Sequence, residues 1–295
     1  MKKITIFLFT IFSLLSFSQN NNKVEIYLDE NSNEINEEEY KIKLATSVYS
    51  EKTDIKNDNI LNRLSLNYEI GQFNTEEFQH IKNSIKNQLS QVDFEKNIIL
   101  IYQDTLKGVN DKNLSLENSF DISDYLKQKK KYDSKQNKCK RFARKNNAEA
   151  YHIYSEAINY DYNSKNYQTH QITESLKHKL FKNESYGVII IKTNGDYFYY
   201  KQLNQLQVDK MLNSDWSNYI MDFKSFKTKP VKENPKFVTE MINSADAYTN
   251  RFLQREAKKE SLFDNFQQQY KNQHVGQRTI TVKVEIPHCY SYADY

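Results

Sequence analysis

Hydrophobic and polar positions alternate with a period of two in several short stretches of the chain. Residues 24–28, 40–48 and 64–70 show this period, which predicts strands with one buried face. The most regular alternation covers residues 280–286, and Pro287 is expected to end that strand because proline cannot donate to a sheet ladder.

Two residue pairs have the spacing of a helix-capping box, in which a polar side chain caps the helix and a Glu three residues later reaches back. Asn36 and Glu39 form the first pair and predict one helical turn that runs into a strand. Asn74 and Glu77 form the second pair. Apolar residues follow them at spacings of three and four, so we predict an amphipathic helix over about 75–91.

The middle of the chain combines short apolar runs with helical patterns. Asn194 and Gly195 have the composition of a two-residue hairpin turn of type I′, in which both residues adopt positive φ. The other predicted elements are a buried strand at 98–102, a loop at 104–121, a helix at 122–145, a strand at 148–157, a helix at 169–181, a buried strand at 188–191, a returning strand at 197–200 and a single helix at 206–223.

The pattern predicts a mixed α/β (α+β) fold with a central mixed sheet, preceded by N-terminal strands and followed by a C-terminal helical segment that ends in a strand. Pro230 and Pro235 flank a charged linker, which is the best candidate for a boundary. We therefore expect a strand-and-helix segment at 19–94, an α/β core at 95–229 and C-terminal helices and a strand at 230–295.

The N-terminus has the pattern of a secretory signal peptide. Lys2 and Lys3 are followed by an uncharged apolar stretch at 4–17, and small residues precede a cleavage site after Ser18. A signal anchor is the alternative. No Cys lies near the site, so we expect no lipoprotein anchor, and no later stretch is long and apolar enough to span a bilayer. These features predict a secreted or periplasmic protein.

Composition excludes several classes of site. The 295 residues include only 5 Gly and 3 Pro, against average shares of about 7% and 5%. No glycines cluster, so the chain has no dinucleotide fingerprint and no phosphate-binding loop. The mean hydropathy is low, at −0.85, but the net charge of +4 is small, which favours a mostly folded chain over a disordered one.

From residue 97 to 226 the predicted order is strand, helix, strand, helix, hairpin, helix. This order resembles the thioredoxin-like core and implies a sheet built on the strand at 98–102. The family's oxidoreductases carry a Cys-x-x-Cys at the start of the first core helix, whereas residues 107–124 contain no Cys here. The family's proline before the hairpin is also missing, since 185–187 are Ser, Tyr and Gly. The resemblance therefore implies a redox-inactive core.

The chain has two cysteines, Cys139 and Cys289. In an oxidising compartment an even count permits one disulfide, and two unpaired thiols are the alternative. Cys139 falls in the C-terminal half of the predicted helix at 122–145, where the helix dipole disfavours a thiolate. His288 precedes Cys289, but adjacent strand residues face opposite sides, so we do not expect a thiol–imidazole pair.

The other histidines do not predict a metal site. His170, Glu174 and His178 would share one stripe of a helix at 169–181, but two turns, or about 12 Å, would separate the two imidazoles. His152 fits a hydrogen-bonded position in a strand. We therefore expect no metal and no cofactor.

A run of basic residues is the most distinctive chemical feature of the sequence. It can attract a polyanion such as nucleic acid or an anionic glycolipid, or it can be a solvated helix face that contacts the acidic segment at 23–39. A charge run alone favours the solvated face, and nothing predicts a specific nucleic-acid reader. Within the run, the candidate polyanion-binding residues are Lys127, Lys129, Lys130, Lys131, Lys138, Lys140, Arg141 and Arg144, and Lys135 and Lys145 complete it.

The sequence favours a non-enzymatic secreted or periplasmic binding or interaction protein with a redox-inactive thioredoxin-like core. Its partner in the envelope or outside the cell is not identified by the sequence, and an anionic surface or polymer is one candidate. The alternative is an enzyme, either a divergent thiol oxidoreductase that uses Cys139 or a hydrolase whose site forms only in three dimensions.

Overall fold

The computed structural model describes residues 24–56, 59–89, 92–107, 139–158, 169–227, 233–243, 285–288 and 290–294, together with residues 130, 134 and 137. This part of the chain contains both strands and helices, and the mixed α+β class predicted from the sequence is confirmed. The predicted signal peptide at 1–18, the strand residues 280–284 and Cys289 lie outside the described residues.

The described elements are as follows. The strands are β1 (Glu25–Leu28), β2 (Glu34–Ile35), β3 (Tyr49–Lys56), β4 (Asn59–Leu66), β5 (Tyr68–Gln72), β6 (Asn97–Lys107), β7 (Ala148–Ile158), β8 (Thr169–Gln171), β9 (Tyr186–Ile191), β10 (Asp196–Tyr200), β11 (Glu285–His288) and β12 (Ser291–Asp294). The helices are α1 (Glu37–Leu44), α2 (Thr75–Gln88), α3 (139–145, with 130, 134 and 137 also helical), α4 (Glu174–Phe181), α5 (Gln205–Leu212), α6 (Ser217–Phe226) and α7 (236–243).

A six-stranded sheet in the order β5-β10-β9-β6-β7-β8 forms the centre of the fold. β6 lies parallel to β7 and antiparallel to β9, and β9 and β10 form a hairpin. The sequence predicted a buried strand at 98–102, and these residues are at most 1% exposed. Side chains therefore cover both faces of β6, as expected for a central strand that reads as a continuous apolar run.

Aromatic side chains fill the core on both faces of this sheet. On one face Tyr102 stacks on Phe181 of α4, with ring centroids 4.6 Å apart. On the other face Phe198 of β10 contacts Trp216 and Phe237, each at 6.2 Å between centroids. Phe237 belongs to α7, so this helix packs on the same core as the sheet. The predicted boundary at residue 230 stays a prediction.

The alternating pattern at 64–70 is divided between two sheets. β4 belongs to a four-stranded sheet in the order β2-β1-β4-β3, whereas β5 pairs with β10 of the central sheet. The single predicted strand is therefore wrong at Asn67. This residue donates its backbone N–H to Val48 and accepts a bond from the Lys201 N–H, so it pairs with both sides of the junction.

The strand predicted at 40–48 is also wrong, because α1 continues to Leu44. The side chain of Asn36 accepts the backbone N–H of Glu39, as the capping pair predicted, and acidic residues fill the first turn. Acidic residues stabilise the positive end of a helix dipole, so the local signal favours a complete helix. Tyr40 is buried while Ile42 is 52% exposed, so the two-residue period does not correspond to a buried face. The second capping box, at Asn74, is confirmed.

The predicted hairpin at Asn194 and Gly195 is confirmed in position, but its turn type is different. Gly195 has a φ of +89°, whereas Asn194 does not have a positive φ. The Gly195 N–H donates to the Lys192 carbonyl at 3.0 Å, and the Lys192 N–H donates to Asp196 at 2.8 Å. This is a three-residue loop in which glycine takes the left-handed position after an ordinary turn.

Two predicted helices have different limits in the structure. The helix predicted at 206–223 is two helices, α5 and α6, and the buried indole N–H of Trp216 donates to the Met211 carbonyl between them. The helix predicted at 169–181 starts only at Glu174, after its cap Thr173, because residues 169–171 pair with β7 as β8.

The described C-terminal residues form the hairpin β11–β12. Pro287 lies inside β11, opposite Tyr292, so the prediction that it ends the strand is wrong. Proline fits here because a two-stranded ribbon leaves one edge of each strand unpaired. Tyr290, in the turn, is buried in the hydrophobic core.

Candidate functional site

The described residues of the basic run are helical and belong to α3. Lys130, Arg141, Arg144 and Lys145 are exposed, as are the polar residues at 134 and 137. These positions recur every three or four residues, so they form one stripe, while Cys139 and Ala143 face the core. Lys140 is half-buried, and burial together with the nearby Arg144 lowers the pKa of its ammonium. Lys127, Lys129, Lys131, Lys135 and Lys138 lie outside the described residues.

The exposed cations of this stripe have no acidic partner in the described part of the chain. None of Lys130, Arg141, Arg144 and Lys145 takes part in an ion pair there. The acidic segment at 23–39 forms no ion pair with these cations in the described residues, because its carboxylates pair with lysines of α1. Glu37 pairs with Lys41, and both Glu30 and Glu39 pair with Lys43. The expected contact between the basic run and this segment is absent among the described residues.

Cys139 is buried in α3 and is disulfide-bonded. The bond fits the predicted bridge to Cys289, whose own position lies outside the described residues. A buried, oxidised sulfur is not a nucleophile, because the thiolate is the reactive form of cysteine. The pairing with Cys289 stays a prediction.

The prediction that His170, Glu174 and His178 share one helix stripe is wrong, because the helix begins only at Glu174. His170 lies in β8 against the edge of the Tyr151 ring, whereas His178 is exposed on α4. Burial lowers the pKa of His170. His152 is buried in β7, as expected for a strand position. No group of three or more His, Cys, Asp or Glu side chains in the described residues is arranged to hold a metal ion.

A polar cluster that the sequence did not predict lies toward the carboxyl ends of β6 and β7. The Tyr102 hydroxyl donates to Asp104 at 2.6 Å and lies 2.8 Å from the Ser155 hydroxyl. Lys177 of α4 donates to the same Asp104 oxygen at 2.7 Å. Polar residues directly after the buried apolar run of a parallel strand are a signal that could have found this cluster, because ligands of α/β sheets bind toward the carboxyl ends of such strands.

The charges of this cluster are balanced internally. Burial alone would raise the pKa of Asp104, but the hydrogen bonds from Lys177 and Tyr102 outweigh it, so the net pKa is lowered. Burial and the bond to Asp104 raise the pKa of Tyr102. Tyr102 therefore holds its proton, and this hydroxyl cannot act as a base toward Ser155.

A groove of about 440 Å³ opens beside this cluster. Its walls are polar except for one side chain, and they come from the ends of α2 and β7, from β8 and from the start of α4. The lining residues are Gln88, Ser155, Gln171, Ile172, Thr173 and Glu174.

A second polar cluster lies at the junction of the two sheets. The Lys201 ammonium donates to the Ser50 hydroxyl at 3.0 Å and to Asn67 Oδ1 at 3.1 Å. Burial lowers the pKa of Lys201; the nearby carboxylate of Glu184 opposes this shift and the ammonium of Lys52 adds to it. A serine next to a lysine is the composition of a nucleophile–base pair. In this structure the Ser50 hydroxyl donates to Asn67 Oδ1 at 2.9 Å.

None of the described helices combines the length and the apolar character that crossing a bilayer requires. Comparisons of the chain with protein-family models, with curated proteins and with solved structures give no match.

Proposed function

We propose that the protein is a secreted or periplasmic binding protein with a redox-inactive thioredoxin-like core, and that the exposed basic stripe of α3 contacts an anionic polymer or surface. The observation that carries the proposal is the set of four exposed cations, Lys130, Arg141, Arg144 and Lys145, without an acidic partner in the described residues. Unpaired surface cations on one stripe add their potentials and attract polyanions, in a manner that salt weakens.

The fold supports the core part of this proposal. β6 is flanked by a parallel β7 and an antiparallel β9, and β10 follows β9 as a hairpin partner. A thioredoxin-like core pairs its four strands in this way. The pattern of the first 18 residues supports export from the cytoplasm, which N-terminal sequencing of the mature protein would test: a mature chain that begins at Gln19 is expected.

Retention on immobilised heparin, a sulfated polyanion, tests the contact surface. Replacing Arg141, Arg144 and Lys145 together with Gln is expected to lower the salt concentration at which the protein elutes. The matched control replaces Lys56, Lys179 and Lys224 with Gln, because these three are also exposed and the change in net charge is the same. Equal elution shifts for the two triple variants would show that only the overall charge matters and would overturn the proposal.

Substitution of Lys129, Lys130 and Lys131 with Gln extends the test to the start of the run. Heparin retention that is unchanged in this variant and in the 141/144/145 variant would remove the polyanion hypothesis for the whole run.

A hydrolase is the second candidate, and the Ser50–Lys201 contact favours it. A lysine acts as a base only when it is neutral, and partial burial moves Lys201 in that direction. Labelling with a fluorophosphonate probe, followed by peptide mass mapping, tests this alternative. Ser50 is expected to carry the label in the parent protein and to lose it in Lys201→Met. Absence of label on Ser50 in the folded parent protein would exclude it as an activated nucleophile.

The thiol oxidoreductase alternative requires a free thiolate at Cys139. The burial of this residue argues against that chemistry, because a redox-active cysteine has to be accessible to its substrate.

A further inference from the structure

The strand β8 forms one edge of the central sheet. It pairs only with β7 among the described strands, and the pairing is parallel. The N–H of Ile172, directly after β8, donates inward to the Tyr154 carbonyl at 2.8 Å. Because backbone groups alternate between the two sides of a strand, the N–H groups of the neighbouring residues point away from β7.

The side chain of Gln88 already occupies part of this outer edge. Its Oε1 accepts the Thr173 N–H at 2.8 Å, and its Nε2 donates to the Thr173 hydroxyl at 3.2 Å. A side-chain carboxamide has the same donor and acceptor groups as a peptide unit. Gln88 therefore accepts one outward N–H just beyond β8, as a carbonyl of an added strand would, while its Nε2 contacts the Thr173 side chain and no backbone carbonyl.

The next outward-facing residue along the edge is Gln171. No strand of the described residues pairs with its outer side. Its side chain is turned back and donates to the Ser155 carbonyl at 2.8 Å, so it holds the edge against β7. The polar groove of about 440 Å³ lies directly at this position.

The charge around the groove favours a basic ligand group. Two carboxylates, Asp104 and Glu174, surround the single ammonium of Lys177, at 2.7 Å and 3.4 Å. Asp104 is engaged by Tyr102 and Lys177 together, whereas the Glu174 side chain is 76% exposed at the rim. Asp104, Glu174 and Lys177 together thus carry one excess negative charge, and the accessible carboxylate is that of Glu174.

We propose that this edge is a peptide-binding site, at which an extended segment of a partner protein adds as a strand to β8 and places a Lys or Arg side chain beside Glu174. Strand addition of this kind takes affinity from main-chain hydrogen bonds and selectivity from side-chain pockets. The site shares no residue with the basic stripe of α3, so it stands or falls independently of the polyanion proposal.

The test uses a fluorescein-labelled heptapeptide of alternating Thr and Val with a central Lys, titrated into the full-length protein and followed by fluorescence anisotropy. Saturable binding is expected, and a central Glu is expected to weaken it by about tenfold because like charges then face each other. Two further peptides are N-methylated at every second amide. In the first peptide the methyl groups lie along one edge of the strand, and in the second they lie along the other edge. One of them is expected to lose binding, because its pairing edge is blocked.

Protein variants test the two features separately. Gln171→Pro removes the outward N–H, and Gln171→Ala is the matched control that keeps it while also losing the side chain. Gln171→Pro is expected to weaken binding about five- to tenfold relative to Gln171→Ala, the effect of one lost hydrogen bond. Glu174→Gln, at an exposed position, is expected to remove the preference for Lys over Glu without affecting folding.

Three results would overturn the proposal. The first is no saturable binding of the Lys peptide, and the second is equal binding of the Lys peptide and both N-methylated peptides. The third is a concentration-dependent dimer in sedimentation velocity that Gln171→Pro abolishes and Gln171→Ala keeps, because the occupant of the edge would then be a second copy of this chain.

Discussion

The carboxylate of Glu184 accepts a 2.7 Å hydrogen bond from the backbone N–H of Leu66, a residue 118 positions earlier in the chain. The same buried carboxylate accepts bonds from the Ser65 hydroxyl at 2.9 Å and the Lys52 ammonium at 2.8 Å. Leu66 ends β4 of the N-terminal sheet, and Glu184 lies in the turn between α4 and β9. One side chain therefore joins the two sheets through three donors.

Replacing this side chain is expected to loosen the junction. Glu184→Gln keeps the shape but removes the charge, so at least one of the three buried contacts is lost. We expect the free energy of unfolding to fall by about 1–3 kcal/mol, measured by urea denaturation. Glu174→Gln, an exposed carboxylate on the adjacent helix, is the control and should change it by no more than about 0.5 kcal/mol. Equal effects would show that Glu184 does not hold the sheets together.

The disulfide bond of Cys139 is expected to contribute strongly to stability. If the bond joins Cys289, it closes a loop of most of the C-terminal half, and the chain-entropy model gives about 4–5 kcal/mol. Cys139→Ser and Cys289→Ser should therefore lower the free energy of unfolding equally, and the double variant should not respond to reductant. Non-reducing peptide mapping identifies the pair directly. A stable Cys289→Ser protein that still loses stability on reduction would contradict this pairing.

Glycine is expected to be the only residue type that fits position 195 of the hairpin without strain. Its φ of +89° is unfavourable for residues with a Cβ, and an added Cβ would lie 3.1 Å from Cδ1 of Phe78. Gly195→Ala should therefore destabilise the protein by about 1–2 kcal/mol in thermal or urea unfolding. Thr193→Ala, at an exposed position of the same loop, is the control, with an effect near zero.

The Asp104–Lys177 pair is expected to stabilise the fold at neutral pH and to fail in acid. The pKa of Asp104 is lowered in the folded protein from its ordinary value of 3.8. A carboxylate with a lowered folded-state pKa contributes stability above its unfolded-state pKa and loses it as the pH falls through the folded-state pKa. The Tm difference between the parent protein and Asp104→Asn should therefore be constant near neutrality and shrink below about pH 4.

A thermal-melt series from pH 7 to pH 2 measures this difference, with Glu174→Asn as a variant that removes an exposed carboxylate on the same cluster. A difference for Asp104→Asn that does not change over this range would show that its carboxylate is not stabilised by Lys177 and Tyr102.

Local sequence determined the elements that depend on neighbouring residues. Asn74 and Glu77 cap α2 as their spacing predicted, because both hydrogen bonds of a capping box form within one turn. The runs at 98–102 and 188–191 are buried strands, because a continuous apolar run must be covered on both faces. Gly195 marks the hairpin, because its freedom at positive φ is a local property.

Tertiary structure decided the contacts between residues that are far apart in the chain. The alternation at 64–70 cannot say that Leu66 and Tyr68 belong to different sheets, because the break at Asn67 depends on Val48 and Lys201. The groove beside β8 assembles Gln88, Ser155 and Thr173 from three elements. For the basic run, the sequence shows the positive charge. Only the fold shows that the exposed cations among its described residues lack acidic partners. Electrostatic pairing acts through space, so the linear order of charges does not determine it.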